Sequence, residues 1–476
     1  MSDVFQIEDH FSQLMHTVGL NPAETGGKIS FYGRDPIMKS RIRLGASYAI
    51  PYMGCAAGAA LIWREKTGRG QDLHIDLRKA IHYIADFPWS TLNGHPYPFP
   101  YNTGRSPCAF FDQFYATRDG RLFCPAGFYP HMERAWCDFL GAVPTHTDVA
   151  AKIKNWNALE LEAEANAHGL VGAMVRTIEE WARTECGRQL AQTPVIEIEK
   201  IGESASVPLP AGMDRPLSGL RVISNTHEVA GPVIGRTLAE QGADVIQTTT
   251  PTEFFHDVIF LEGAVGVRQA YVDFKQPGGL EAMKNLLKDA DVFVENFRGG
   301  GLAEAGLSPE ALAAARPGII YASGRGVTHH GEWANRGSFD PVAIPMTGLA
   351  ALEGSISEPK YPPYGLINDV ITGMFGALGV YAALVRRARE GGSYVVRVSL
   401  ARCSMWYGTL GFLEPHETEA EGEEHELIDP DMFEAQTMLG YLRRPAPCVE
   451  FGETPGKWTH LLSYRGFDKP EWLPRK

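Results

Sequence analysis

The feature that most constrains this chain is an alternation of short strands and short helices that begins near residue 220. GLRVISNT reads as a strand, GPVIGRTLAEQGA as a helix stopping near Gly242, and DVIQTTT as the next strand. YVDFK, GGLEAMKNLLKDA, DVFVENF and GIIYASG continue the pattern. Strands joined through helices can pair in parallel, so the segment predicts an α/β fold with a doubly wound, mostly parallel sheet. A Rossmann-like sheet follows, but no GxGxxG stands after its first strand, which disfavours a dinucleotide enzyme. GxSxG, HExxH and P-loop patterns are also absent.

A second constraint is an internal similarity at an offset of 323 positions. CAAGAALIWREKTGRGQDLHIDL in the first half matches ALGVYAALVRRAREGGSYVVRVSL in the second, pairing Arg64 with Arg387, Gly68 with Gly391 and Leu77 with Leu400. Each copy reads as an apolar helix with closely spaced small residues, a basic last turn, a glycine stop and a strand. A duplicated unit is the expectation.

Between the copies, residues 94–130 are rich in Pro, Gly and aromatic side chains and suit a shaped cover over a cleft. ATRDGRLF predicts a hairpin turning at Asp119-Gly120, and residues 157–190 read as helical. The expected organisation is a half-repeat over 1–93, a smaller α+β domain over 94–202 and a linker over 203–219. A nucleotide-binding-like α/β domain over 220–415 and an acidic connector with a tail over 416–476 complete it.

Composition narrows the partners. A net charge of -13 argues against nucleic acid, which needs a basic footprint, although local arginines and helix N-termini still suit a phosphate ligand. Seven scattered cysteines without a CxxC pair read as free thiols of a reducing compartment. The start, MSDVFQIEDHF, lacks the bases and apolar core of a signal peptide, and no run approaches 18 uninterrupted apolar residues. A cytoplasmic protein away from membranes is the expectation.

Asp369 is the strongest chemical candidate. It stands in NDVITGMFGALGVYAALVRRARE, before a long apolar helix, where it reads equally as a helix cap or as a nucleophile held anionic by the helix dipole. At the 323-residue offset it falls on Ala46, so one copy carries an acid that the other lacks, with Ser47 available there as a cap. His329-His330 lies in a glycine-rich stretch without a neighbouring ligand and reads as surface loop.

Six blocks of the second half, in order, resemble the class III CoA-transferase (CaiB/BaiF) superfamily. These are PLSGLRVISNTHEVAGPVIGRTLAEQGADVI, VRQAYVDFK, DADVFVENFRGGGLAEAGLSPEAL, PGIIYASGRG, RGSFDPVAIPMTG and NDVITG. TGRGQDLHIDL, FFDQFYATRDGRLFCPAG and LRRPAPCVEFGETPGKW are similar to other parts of a family protomer. The resemblance implies transfer of CoA between an acyl-CoA and a carboxylic acid, with Asp369 as covalent nucleophile and no metal. It also implies a homodimer; each half holds family parts that the other lacks, so residues 80–200 are expected to cover the Asp369 site, within the chain or across a dimer interlocked as the family's are.

Arg268, Asn296, Phe297 and Arg298 are the CoA contacts it implies, and loops near Gly104 or Gly299–Gly301 are candidates for the oxyanion donors. QTTTPTEFF replaces the family's charged residues after the second strand, Val267 replaces a lysine and Gly300 a proline. These departures bear on CoA affinity and pose. Phe339 stands where the family's racemases carry a histidine, which weakens a racemase reading, since racemisation needs a base on each face of the carbon. An acyl-CoA isomerase, racemase or lyase on this scaffold, and a non-catalytic CoA-binding subunit, are the alternatives.

Overall fold

The computed structural model describes residues 5–83, 88–97 and 108–475. Its centre is a seven-stranded sheet ordered 268–271, 244–249, 221–225, 292–295, 320–325, 393–399, 197–202. The first six strands are parallel, and Glu197–Gly202 adds antiparallel to Ser393–Ser399 at one edge. The fold is therefore the expected doubly wound α/β type. Glu197–Gly202, assigned from sequence to the small domain, instead completes the large sheet. Its charged, alternating EIEKIG suits an edge strand with one wet face.

Two helices of 24 residues each, Leu44–Thr67 and Ile367–Glu390, pack together at the centre of the core. Their first residues are 323 positions apart, and both end on a glycine with positive φ, Gly68 and Gly391. Glycines set their spacing: a Cβ on Gly58 would lie 2.8 Å from the Tyr381 Cβ. On the other side, a Cβ on Gly376 would lie 2.5 Å from Ile234 of the Ala230–Glu240 helix. Both long helices are apolar enough to cross a membrane, and both are enclosed by the protein.

Neither helix caps itself. Asp35 accepts the backbone N–H groups of Gly45 and Ala46, both at 2.8 Å. Asp340 accepts those of Asn368 and Asp369, at 2.7 and 3.2 Å. Each capping aspartate precedes a proline, Pro36 or Pro341. Ser47 is not the cap; its hydroxyl is buried without a partner among the described residues.

The smaller unit has a three-stranded antiparallel sheet of Tyr115–Ala116, Leu122–Ala126 and Val171–Met174, with Asp119 and Gly120 in the expected turn. Helices Pro130–Leu140, His146–Ile153 and Ala158–Ala167 pack around Trp136, Phe110 and Phe123. Residues 157–190 are not continuously helical: Gly169 takes φ +73, ends one helix and lets Val171–Met174 become a strand. This unit packs on the second half, with Cys124 Sγ 3.3 Å from the Pro341 carbonyl and the Arg176 N–H donating to the Pro345 carbonyl at 3.0 Å.

Candidate active site

In an open parallel sheet, ligands sit beyond the carboxyl ends of the strands where the order reverses. Here the reversal falls between Arg221–Asn225 and Val292–Glu295. The chain after the first strand supplies His227 and Glu228, and the chain after the second supplies Asn296, Phe297 and Arg298. Asn296 ties the two together: its Oδ1 accepts the His227 N–H at 2.9 Å and its Nδ2 donates to the His227 carbonyl at 2.7 Å.

These residues line a cavity of about 470 Å³ that also contains Asp369. The Ile367–Glu390 helix begins two residues before Asp369, so this carboxylate lies in the first turn and caps nothing. Among the described residues nothing donates a hydrogen bond to it. Burial pushes its pKa up to about 7. Asp340, beneath the helix start, is also raised, by burial and by the nearby Asp369, while its N–H donors pull the other way. The two acids therefore resist ionising together.

Phe111, Phe128 and Tyr129, from the aromatic segment of the smaller unit, line the same cavity in the same chain. Phe128 and Phe339 meet edge to face with ring centres 4.8 Å apart, and Phe339 adjoins Asp340. The apolar wall thus reaches the start of the Ile367–Glu390 helix. Gly324, Gly326 and Gly337 also border the cavity. The Gly299–Gly301 turn is not among its lining residues, and Gly104 lies outside the described residues.

Of the sequence candidates, Asp369, Asn296, Phe297 and Arg298 come together, and Arg268 does not. Arg268 opens its strand and so sits at the amino end of the sheet, opposite the cavity. It is buried there between Asp244, at 3.2 Å, and Asp468, at 3.6 Å. Arg298 donates to the Gly169 carbonyl at 3.0 Å, and no carboxylate pairs with it among the described residues. The other cavity arginines are committed, Arg325 to Glu295 at 2.9 Å and Arg336 to Glu162 at 3.6 Å. The two histidines read as surface loop are half-buried ties instead: His329 bonds the Val398 carbonyl at 3.0 Å and His330 meets Glu197 at 2.9 Å.

The sequence reading passed over Glu228, His227 and Tyr129. Glu228 has φ +59, which L side chains rarely adopt, and it lines the cavity with Asp369. The signal available was an acid between the first strand and the AGP turn, in THEVAGP.

The sequence profile of CoA-transferase family III matches residues 22–208 and 217–437. The chain belongs to this family. Among similar proteins, an acetyl-coenzyme A transferase of Hypoxylon pulicicidum is 27% identical over 63% of this chain and 54% of its own length. A succinate–glutarate CoA-transferase of Agrobacterium fabrum is 32% identical over 37% of this chain and 48% of its own length. A CaiB/BaiF family protein of Brucella suis, solved by crystallography, shares 31% identity over 42% of this chain and 56% of its own, with a TM-score of 0.38. The chain spans about half the length of the curated relatives it matches.

Proposed function

We propose that this family III chain moves CoA from an acyl-CoA thioester to a carboxylic acid through a covalent intermediate on Asp369. The observation that carries the reading is the Asp369 carboxylate itself, facing an apolar-walled cavity with no hydrogen-bond donor occupying it among the described residues. A nucleophile must keep its lone pairs available, and a poorly solvated carboxylate is more reactive than one tied up by donors.

The steps balance without an added reagent. Asp369 attacks the thioester carbonyl, the C–S bond breaks, and CoA thiolate leaves behind a mixed anhydride. The thiolate then attacks the aspartyl carbonyl, releasing the donor acid and forming an aspartyl-CoA thioester. An acceptor carboxylate attacks that thioester, and the thiolate returns to the acceptor's carbonyl, freeing Asp369. Each tetrahedral oxyanion calls for fixed donors, and the backbone N–H groups of Gly326 and Gly337, which border the cavity, are our candidates for them. Arg298, a cavity cation with no carboxylate partner among the described residues, suits a phosphate of CoA.

The test is to incubate purified protein with several acyl-CoAs, with and without free carboxylates, and follow CoA onto the acceptor. Exchange should need the acceptor, and hydroxylamine should trap the activated acyl at Asp369. Undiminished exchange by a well-folded Asp369→Ala protein rules the mechanism out. Racemisation or isomerisation without an acceptor would favour the alternative reading.

A further inference from the structure

Beside Asp369 the cavity holds a second carboxyl group that the transfer scheme has not used. Glu228 sits at φ +59, a strained backbone for a residue with a side chain, and the strain is maintained from outside. Asn296 grips both the N–H and the carbonyl of the preceding His227, fixing the direction in which the Glu228 side chain leaves the loop.

The Glu228 side chain is only 14% exposed, and its Oε1 has no hydrogen-bond partner among the described residues. His227 Nε2 lies 3.1 Å from that oxygen, but this ring nitrogen is engaged instead with the Tyr129 hydroxyl at 3.0 Å. On its other side, His227 Nδ1 lies 2.8 Å from Glu253, which is 21% exposed. Glu228 and Glu253 thus flank the same imidazole at 3.1 and 2.8 Å, and Glu228 Oε1 and His227 Nδ1 both lack a hydrogen-bond partner among the described residues.

We propose that Glu228 is the proton donor and acceptor for the sulfur of CoA, with His227, Tyr129 and Glu253 as its positioning residues. The proposal rests on the transferase reading and adds to it the fate of the leaving group. When the C–S bond breaks, sulfur takes the electron pair and the Glu228 O–H proton passes to it, leaving a thiol and a carboxylate. When sulfur attacks the aspartyl carbonyl, its proton returns to Glu228 and the C–S bond reforms. No proton is gained or lost over the cycle.

The surroundings favour this division of labour. A thiolate released in this poorly solvated space would be a costly charge, so its protonation lowers the barrier to departure. The titratable groups placed against Glu228 and its imidazole are His227, Glu253, His256, Tyr129 and Asp369. Burial, then Asp369, then Glu253 raise the Glu228 pKa well above the usual carboxyl range, which favours its acid form. Asp369 is raised by burial alone, whereas Glu228 also faces the charges of Asp369 and Glu253, so ionising Asp369 favours a protonated Glu228. One acid becomes the nucleophile and the other keeps a proton to give.

The experiment is the pH profile of kcat/KM for wild type and for Glu228→Gln, which keeps shape and a hydrogen-bond donor but cannot transfer a proton. Wild type should show an acid limb and a basic limb. The variant should lose about 10²-fold or more at the optimum and lack the basic limb. Other buried carboxyls such as Asp340 are raised as well, so the readout is the infrared difference spectrum: the protonated-carboxyl band near the wild-type optimum should lose one component in Glu228→Gln that Asp369→Asn retains.

Exchange by wild type with the basic limb intact in Glu228→Gln overturns the role of Glu228 alone, as does a band unaffected by that change. No exchange by wild type with any acyl-CoA and acid overturns the transferase reading itself. Glu228-dependent uptake of solvent deuterium at the α-carbon of the acyl group would instead make Glu228 a carbon base and overturn the sulfur role.

Discussion

Asp340 holds the turn in which Asp369 sits: its Oδ2 accepts the Asp369 N–H at 3.2 Å, having already taken that of Asn368 at 2.7 Å. The helix start is thereby secured by a residue outside the helix, and the Asp369 side chain is left free for chemistry. Asp340→Ala should cost about 1–3 kcal/mol for each buried N–H left without a partner. Urea unfolding would show this as a lower midpoint, with a smaller loss for Asp340→Asn, which keeps one acceptor. Asp35→Ala should lose comparable stability, because Asp35 does the same for Gly45 and Ala46. Unchanged midpoints would mean that these helix starts are secured in some other way.

The protonation of Asp369 should be visible in both rate and stability. Burial raises its pKa to about 7, so exchange should fall as pH drops through that value. For stability the sign is the reverse of the usual paired carboxylate. The folded state binds the proton more tightly than the unfolded chain, so stability falls as pH rises from about 4 to about 7. Asp369→Asn should therefore have a higher Tm than wild type above pH 7. The gap should close by about pH 4, the unfolded carboxyl range. A variant that melts lower than wild type at pH 8 would contradict a burial-driven shift.

Much of the fold was legible because its signals are local. Strand–helix alternation after residue 220 specifies a parallel sheet, and the stop glycines at 68 and 391 mark the helix ends. What escaped was long-range. Nothing near Asp369 says that its helix is capped from position 340, so a first-turn acid looked like a cap. The same fact removes an ambiguity: with Asp35 capping the first helix, Ala46 replaces Asp369 at no cost to the cap. Arg268 looked like a CoA contact from its block, yet its place at the amino end of a strand sends it away from the cavity. Glu228 was missed because the positive φ that aims it is a property of the folded loop.

Arg298 is the cavity cation whose charge is not committed to a carboxylate among the described residues, and it packs against Gly337, where a Cβ would come within 2.6 Å of its Nη1. Arg298→Ala should raise KM for acyl-CoA about tenfold or more with kcat little changed, as a charge-assisted phosphate contact made equally in ground and transition states would. Gly337→Val should act in the same direction by displacing the guanidinium. A kcat effect without a KM effect would instead place Arg298 against the reacting carbonyl.

Phe128 gives the sharpest test of the aromatic cover. Its ring sits among Phe111, Tyr129, His256 and Phe339, with centroid distances of 4.8 to 5.6 Å, and so joins the smaller unit to the wall beside Asp340. A mixed anhydride on Asp369 survives only if water is kept from it while the thiolate and the acceptor do their work. Phe128→Ala opens that wall without removing a titratable group. Transfer should persist at a reduced rate, while acyl-CoA hydrolysis in the absence of acceptor should rise several-fold relative to transfer. Measuring released CoA thiol alongside acceptor-CoA gives that ratio directly. If both rates fall together, the aromatic wall shapes the binding of substrate and something else keeps water from the anhydride.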